Sequence, residues 1–309
     1  MAEWLLADLG ATHTRLALAT PCGLCAGSAR RVENAGHDGF GAVLAGYLDG
    51  RPVAAVCAGV AGPVRGDAAR LTNLAWVIDA AEVARASGAA RVHLMNDLQA
   101  QAMALDDLPA AAFVPVLPGV ADPDGPRMVM GLGTGSNIAV AHRVAGRLFV
   151  PPAEAGHSSL PHMDEDLNRL IAAVAGSAAH KPYEALLSGP GLSRLHRLRT
   201  GAERCAPDIL AAFEAGEAEE SRTLSLFTRL LGTVTGNLAL THMATGGIYL
   251  IGGLARALAP HLAGLGFAAA LAAKGPYSAI MKAMPVTLIT DDAAALPGCW
   301  LALRQEFGE

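Results

Sequence analysis

Residues 5–18 read LLADLGATHTRLAL. Two apolar runs, each long enough for a strand, flank a Gly-Ala-Thr-His break that is too short for a helix. The pattern is that of a tight β-hairpin with a small, hydroxyl-bearing turn. Such a turn brings backbone N–H groups close to an anion. An ordinary hairpin has the same signature, so the rest of the chain must decide what this one is for.

Outward from that hairpin, strand-like and helix-like segments alternate, which points to an α/β protein. The 309 residues suit about two domains. VAAVCAGV (53–60) and RVHLMN (91–96) read as buried strands, and LTNLAWVI (71–78) as another short strand. DLQAQAMALDDL (97–108) has helical spacing, with Leu98, Met103 and Leu105 as apolar anchors. RMVMGLGTGSNIAVAHRV (127–144) is a second strand-turn-strand, and the clearest helix runs from Glu217 to Met243. GGIYLIGGLARALAPHL (246–262) reads as strand, Gly-Gly turn and helix. MPVTLIT (284–290) is a late strand and AAALPGCWLALRQEF (293–307) the closing helix. DLGATHTRLALA (8–19) and GLGTGSNIAVA (131–141) echo each other as Gly/Thr turns between apolar strands. Two such hairpins, one per half, suggest a duplicated architecture with a ligand between the halves.

The composition narrows the field. With 52% hydrophobic and 17% charged residues the chain can build large cores. A net charge of −5 offers no basic face to nucleic acid and little to an anionic membrane. There is no signal-peptide pattern and no apolar run near the roughly 20 residues of a membrane helix. The five cysteines (Cys22, Cys25, Cys57, Cys205 and Cys299) make no disulfide framework, so a reducing cytoplasm fits. Cys22 and Cys25 form a C-x-x-C with no second pair and no nearby histidines, a weak case for zinc.

Three glycine-rich turns need a common explanation: Gly10-Ala11-Thr12, Gly133-Thr134-Gly135 and Gly252-Gly253. Small residues let backbone approach a ligand closely, and their N–H groups cradle phosphates. None has Walker or dinucleotide spacing, but three at strand ends point to a nucleotide cleft. Asn96 and Asp97 stand where a buried strand meets a helix, the place where open α/β sheets bind ligands. Helix capping is the plain alternative. Glu154 and His157 lie in the loop PPAEAGHSSLPH (151–162), and Glu184 precedes the Gly-Pro-Gly break of YEALLSGPGL (183–192). A solvated helix carboxylate would be ordinary, but a polyhydroxylated ligand uses such paired acceptors and donors.

Taken together these segments resemble, essentially end to end, the bacterial glucokinases of the ATP-dependent hexokinase type, in the superfamily of actin and the heat-shock chaperone ATPases. The resemblance runs in order through LADLGATHTRLAL, GPVRGDAARLTNLAW, NDLQAQAMAL, GLGTGSNIAVA, EAGH, LLSGPGL, GNLAL, GGIYLIGGL, KGPYSAIMKAMPV and the closing Asp-Asp…Leu-Pro-Gly helix. It implies a two-domain actin-like ATPase (ribonuclease H-like) fold with a central cleft. A small α/β domain of residues 1–97 and 291–309 is expected, with a large one of 98–290. It implies transfer of the ATP γ-phosphate to the 6-hydroxyl of glucose with magnesium, by a cytoplasmic enzyme of glycolysis that forms a homodimer. Asp97 is then the general base, and Asn96, Glu154, His157 and Glu184 hold the other sugar hydroxyls. Gly10, Ala11, Thr12, His13, Gly133, Thr134 and Gly135 wrap the phosphates. Gly252 and Gly253 lie against the adenosine, and Asp8 positions magnesium through water.

Some positions depart from the family pattern. Ala11 and His13 replace a Gly and an Asn of the first motif, Ser136 and Asn137 a Leu and a Gly of the second, and Ala155 a Gly of the sugar loop. The departures cluster on the phosphate side and leave the sugar acids intact, so donor binding is where a difference is expected. Two alternatives stand beside this reading: a kinase for another or an N-acetylated hexose, and a sugar-binding regulator without kinase activity. The absence of cysteines near His157 counts against the N-acetylated class, and Asp97 against the regulator.

Overall fold

The computed structural model describes residues 3–174, 179–291 and 293–307; Asp292 of the closing motif lies outside them. In chain order the strands are β1 (Trp4–Leu9), β2 (His13–Thr20), β3 (Gly23–Leu24), β4 (Arg30–Glu33), β5 (Ala55–Val60), β6 (Val64–Arg65), β7 (Ala68–Arg70) and β8 (Val77–Asp79). They continue with β9 (Arg91–Asn96), β10 (Phe113–Leu117), β11 (Arg127–Leu132), β12 (Ser136–Val144), β13 (Arg147–Phe149), β14 (Gly247–Ile251) and β15 (Val286–Ile289). The helices are α1 (Phe40–Leu48), α2 (Ala80–Ser87), α3 (Asp97–Met103), α4 (Glu165–Ala173), α5 (Gly189–Thr200) and α6 (Ala206–Glu214). After these come α7 (Ala218–His242), α8 (Gly253–Leu258), α9 (Phe267–Ala272), α10 (Ser278–Ala283) and α11 (Ala295–Phe307).

Two compact units divide the chain. The first holds the described residues of Met1–Ala110, Val144–Pro152 and Asp291–Glu309, the second those of Ala111–Arg143 and Ala153–Thr290. The expected boundary at Asp97 differs from this division, because α3 packs on α11 and stays with the first unit.

In the first unit β1 pairs antiparallel with β2 and parallel with β5, which pairs parallel with β9. A strand with neighbours on both edges and cores on both faces must be apolar almost throughout, and WLLADL is buried at every position. Strand alternation sends its side chains two ways. Leu5, Ala7 and Leu9 join Phe40, Val43 and Leu44 of α1; Trp4 and Leu6 join Met103 of α3 and Cys299, Trp300 and Leu303 of α11. Each fully buried leucine contributes roughly 1.5–3 kcal/mol. The hairpin expected over 5–18 is present, and so are the strands expected at 53–60 and 91–96. LTNLAWVI is mostly not a strand. Leu71 N–H donates to Trp76 O (3.2 Å), which closes a loop that buries both side chains, and β8 begins only at Val77.

The second unit repeats the order. The run β2-β1-β5-β9 has its counterpart in β12-β11-β14-β15, with the same antiparallel, parallel, parallel sequence of pairings. The faint sequence echo is therefore an echo of topology. The helix read from Glu217 to Met243 is α7, whose Leu224, Phe227, Leu230, Leu231 and Val234 supply the buried stripe.

The closing helix explains its own Leu-Pro-Gly. A Cβ on Gly298 would stand 1.7 Å from the Ala100 carbonyl oxygen, so α11 and α3 meet backbone to backbone at that point. Gly59 of β5 is cramped from the same side: a Cβ there would lie 3.3 Å from the Ala100 Cβ. Gly298→Ala must push α3 off the sheet, an overpacking strain of about 1–3 kcal/mol or more. We expect a clear fall in melting temperature, with kcat falling as well because α3 begins at Asp97; an unchanged melting temperature would show that the contact yields freely.

Candidate functional site

In the first unit, the parallel register puts Leu9, Val60 and Asn96 side by side at the carboxyl ends of β1, β5 and β9. The turn after β1, the turn after β5 and the start of α3 therefore share one edge of the sheet. At the first turn Gly10 N–H donates to His13 O (3.0 Å). The turn is braced by a residue the sequence reading missed. Asn34 follows β4, and its Nδ2 donates to Gly10 O (2.8 Å) and Ala11 O (3.1 Å). Its backbone N–H donates to Thr12 O (2.9 Å), and its Oδ1 accepts from the Thr14 hydroxyl (2.8 Å). Asn34 is buried, and Thr12 at the tip is exposed. The His13 ring is occupied: both its nitrogens lie 3.2 Å from Nη2 of Arg31, two residues along β4 from its register partner Glu33.

Asp8 faces Arg15 across the β1–β2 ladder, and Arg15 Nη1 donates to its Oδ2 (3.0 Å). Burial raises the Asp8 pKa, and the Arg15 guanidinium works against that. Asn96 and Asp97 divide their work. Asn96 Oδ1 accepts from Leu98 N–H (2.9 Å), Gln99 Oε1 accepts from Asn96 N–H (3.0 Å), and Asn96 Nδ2 donates to Gly62 O (3.2 Å). This is a full capping box, and it engages the Asn96 side chain with backbone. Asp97 is then the first helical residue, half-buried, with Oδ1 accepting from Leu98 N–H (2.9 Å).

In the second unit β11 and β14 run parallel, so the Gly133–Gly135 turn and the Gly252–Gly253 turn also share a carboxyl edge. Gly133 N–H donates to Gly135 O (2.9 Å), and Gly133 O accepts from Gly189 N–H (2.8 Å), which ties the start of α5 to the turn. Space beyond Gly133 and Gly253 is open. Gly252 has φ 109° and packs on the Leu132 carbonyl, where a Cβ would come within 2.4 Å. Its glycine is required by packing between β14 and β11.

The turn also holds two of the acids singled out in the sequence, Glu184 and Glu154. A Cβ on Gly135 would lie 2.7 Å from Glu184 Oε2, and Ser136 N–H donates to that same oxygen (2.8 Å). Gly156 lies against Ser136 O, where a Cβ would come within 2.0 Å. Asn137 Nδ2 donates to Ala153 O (2.7 Å) and to Glu154 Oε2 (3.1 Å). The departures at 136 and 137, expected to bear on the phosphate side, contact Glu184 and the 153–156 loop with Glu154. Burial raises the Glu154 pKa, His157 opposes this, and Glu184 adds to it. Glu154, His157 and Glu184 thus form one acidic set with a histidine inside this unit. Ala155 packs its methyl group on the core.

Among the described residues no three His, Cys, Asp or Glu side chains cluster as metal ligands. Magnesium needs no such cage. It binds through one or two carboxylates, waters and substrate phosphates, and Asp8 is a hard oxygen donor of that kind. No helix of the described residues is long and apolar enough to cross a membrane.

A family model described as Glucokinase matches residues 5–306. A glucokinase from Psychromonas ingrahamii is 33% identical, with 98% of each chain covered. A glucokinase from Chromobacterium violaceum is 34% identical over 95% of this chain and 87% of that one. The crystal structure of a glucokinase from an Antarctic psychrotroph is 28% identical, with 99% of each chain covered and a TM-score of 0.87. The chain belongs to the glucokinase family. It has the actin-like ATPase fold and is an ATP-dependent hexose kinase, as the sequence resemblance implied.

Asn34 gives this site its first test. In Asn34→Ala the Thr14 hydroxyl and two turn carbonyls lose their partner, at a cost of about 1–3 kcal/mol for the buried donor. We expect a lower melting temperature and a KM for ATP raised several-fold, with the glucose KM nearly unchanged. A lowered melting temperature with an unmoved ATP KM would separate this turn from phosphate binding.

Proposed function

We propose that this member of the glucokinase family transfers the γ-phosphoryl group of ATP to the 6-hydroxyl of glucose, with Asp97 as the general base. The observation that carries the role of Asp97 is the capping box. Asn96 takes over the folding work at the end of β9, so Asp97 enters α3 as a carboxylate at the carboxyl edge of the sheet. There it accepts the hydroxyl proton as the oxygen attacks phosphorus. A carboxylate serves because the proton need leave only as the bond forms.

Glu154, His157 and Glu184 bind the remaining hydroxyls in this reading. The two carboxylates accept charge-assisted hydrogen bonds. Glu184 is aimed by the Ser136 N–H, and Glu154 by Asn137. Asn96 contributes by fixing the junction from which Asp97 projects. The backbone of 10–12 and of 133–135 meets the phosphates, and Gly253 lies on the adenosine side. Magnesium, held in part by Asp8 through water, would neutralise phosphate charge. A cytoplasmic homodimer working in glycolysis belongs to the same reading.

Asp97→Asn keeps the shape and the acceptor for Leu98 but cannot take a proton. We expect kcat to fall by about 10²–10⁴, with glucose affinity by calorimetry within a few-fold; near-normal turnover would remove Asp97 from the base role. The pH dependence follows from Glu154. Its pKa is raised, so its carboxylate is lost at a higher pH than an ordinary glutamate's, near 4.3. Glucose binding should therefore be full at neutral pH and weaken as pH falls through that raised value. In Glu154→Gln the glucose KM should be higher throughout and the acid limb gone; a wild-type limb retained in this variant would assign it elsewhere.

A further inference from the structure

We propose that Asn137 is a positioning residue for sugar recognition: its amide clamps the 153–156 loop and aims the Glu154 carboxylate, so this side chain on the second glycine hairpin sets the affinity for the sugar. The inference rests on the reading of Glu154 as a sugar ligand. Three contacts carry it. Nδ2 donates to Ala153 O at 2.7 Å and to Glu154 Oε2 at 3.1 Å, and Oδ1 accepts from Gly156 N–H at 3.4 Å. One amide therefore holds both ends of the loop and the carboxylate between them.

The amide is itself well placed to do this. Asn137 pairs with Gly131 across the β11–β12 ladder, so its Cα is fixed by the sheet. Residues 136 and 137 together grip both acids, in different ways. Ser136 holds Glu184 through a backbone N–H, which any residue but proline supplies. Asn137 holds Glu154 through a side chain, and the glycine that the family pattern has at this position makes none of these bonds. Glu154 is the more exposed of the two acids, so it gains most from a fixed donor.

The groups facing Glu154 are His157 from its own turn, Glu184 and the Tyr183 hydroxyl from the 183–185 turn, and Asn137 from β12. His157 and the Asn137 amide favour the carboxylate. Glu184 and the surrounding protein favour the protonated form. Removing the amide tips this balance, so Glu154 takes up its proton at a higher pH.

Steady-state kinetics of the full chain against pH test the proposal, with wild type, Asn137→Ala, Asn137→Asp, Glu154→Gln and the double variant Asn137→Ala/Glu154→Gln. Asn137→Ala should raise the glucose KM about tenfold or more, the usual weight of a hydrogen bond to a charged group. The ATP KM and kcat should stay within about twofold, and the acid limb of the glucose KM should move to higher pH. Asn137→Asp keeps an acceptor for Gly156 but sets a second carboxylate beside Glu154, so it should move the limb further. It also keeps the size of the side chain, which answers a failure of the alanine variant to fold. If Asn137 acts through Glu154, the double variant is no worse for glucose than Glu154→Gln alone. Additive losses, a glucose KM within twofold in Asn137→Ala, or an equal rise in the ATP KM would each overturn the proposal. A normal glucose KM in Glu154→Gln would instead overturn the sugar reading of Glu154 itself.

Discussion

Leu9, Val60 and Asn96 sit side by side because three parallel strands share one register. The placing of the candidate site residues in the first unit follows from that alignment. Parallel strands end together, so the turns that leave them converge on one edge. The register is enforced by burial: a one-residue slip of β1 would turn Leu5, Ala7 and Leu9 out of one core and Trp4 and Leu6 out of the other. The same slip would separate Asp8 from Arg15, which face each other across the β1–β2 ladder. Apolar packing on both faces of a single strand thus sets where a carboxylate and a glycine turn stand.

The second unit obeys the same constraint with different side chains. Its β11 and β14 end together, and their turns carry Gly133–Gly135 and Gly252–Gly253. Here the glycines act chiefly through space. At Gly135 and Gly156 the missing Cβ makes room for Glu184 and for the Ser136 carbonyl. A turn that reads in sequence as a phosphate loop is therefore also the backstop of Glu184. The exposed tip of the turn stays free of that contact, which is made by its flank.

The parts of the fold that were legible in the sequence are those written in contiguous residues. The two hairpins, the long α7 and the closing helix each carry their own periodicity and punctuation, and the structure has them. LTNLAWVI failed because apolar content alone cannot tell a strand from a loop that buries Leu71 and Trp76. At the candidate site, strand-end and loop position singled out Asp97 and Glu184, which stand at the start of α3 and against the Gly135 turn. Asn34 was not, since it lies 24 residues from Gly10 and nothing local marks it as the brace of that turn. Nor does a sequence show that Asn137 reaches Glu154, 17 residues on. A turn's sequence gives its shape, whereas the partners of its side chains are set by the strands that bring distant loops alongside.

Asn96 and Asp97 show how finely such a junction is specified. Either asparagine or aspartate caps a helix by accepting from its first N–H groups. Only asparagine also donates, and at position 96 the Gly62 carbonyl lies 3.2 Å from Nδ2. An aspartate there would set a carboxylate against a carbonyl oxygen inside a buried corner, with no donor between them. Position 97 has the opposite requirement. It is the first residue of α3, where the dipole favours negative charge. The order Asn-Asp thus satisfies two electrostatic demands one residue apart, and exchanging the pair would fail both: the buried carbonyl would lose its donor, and the helix would begin on an amide in place of a carboxylate.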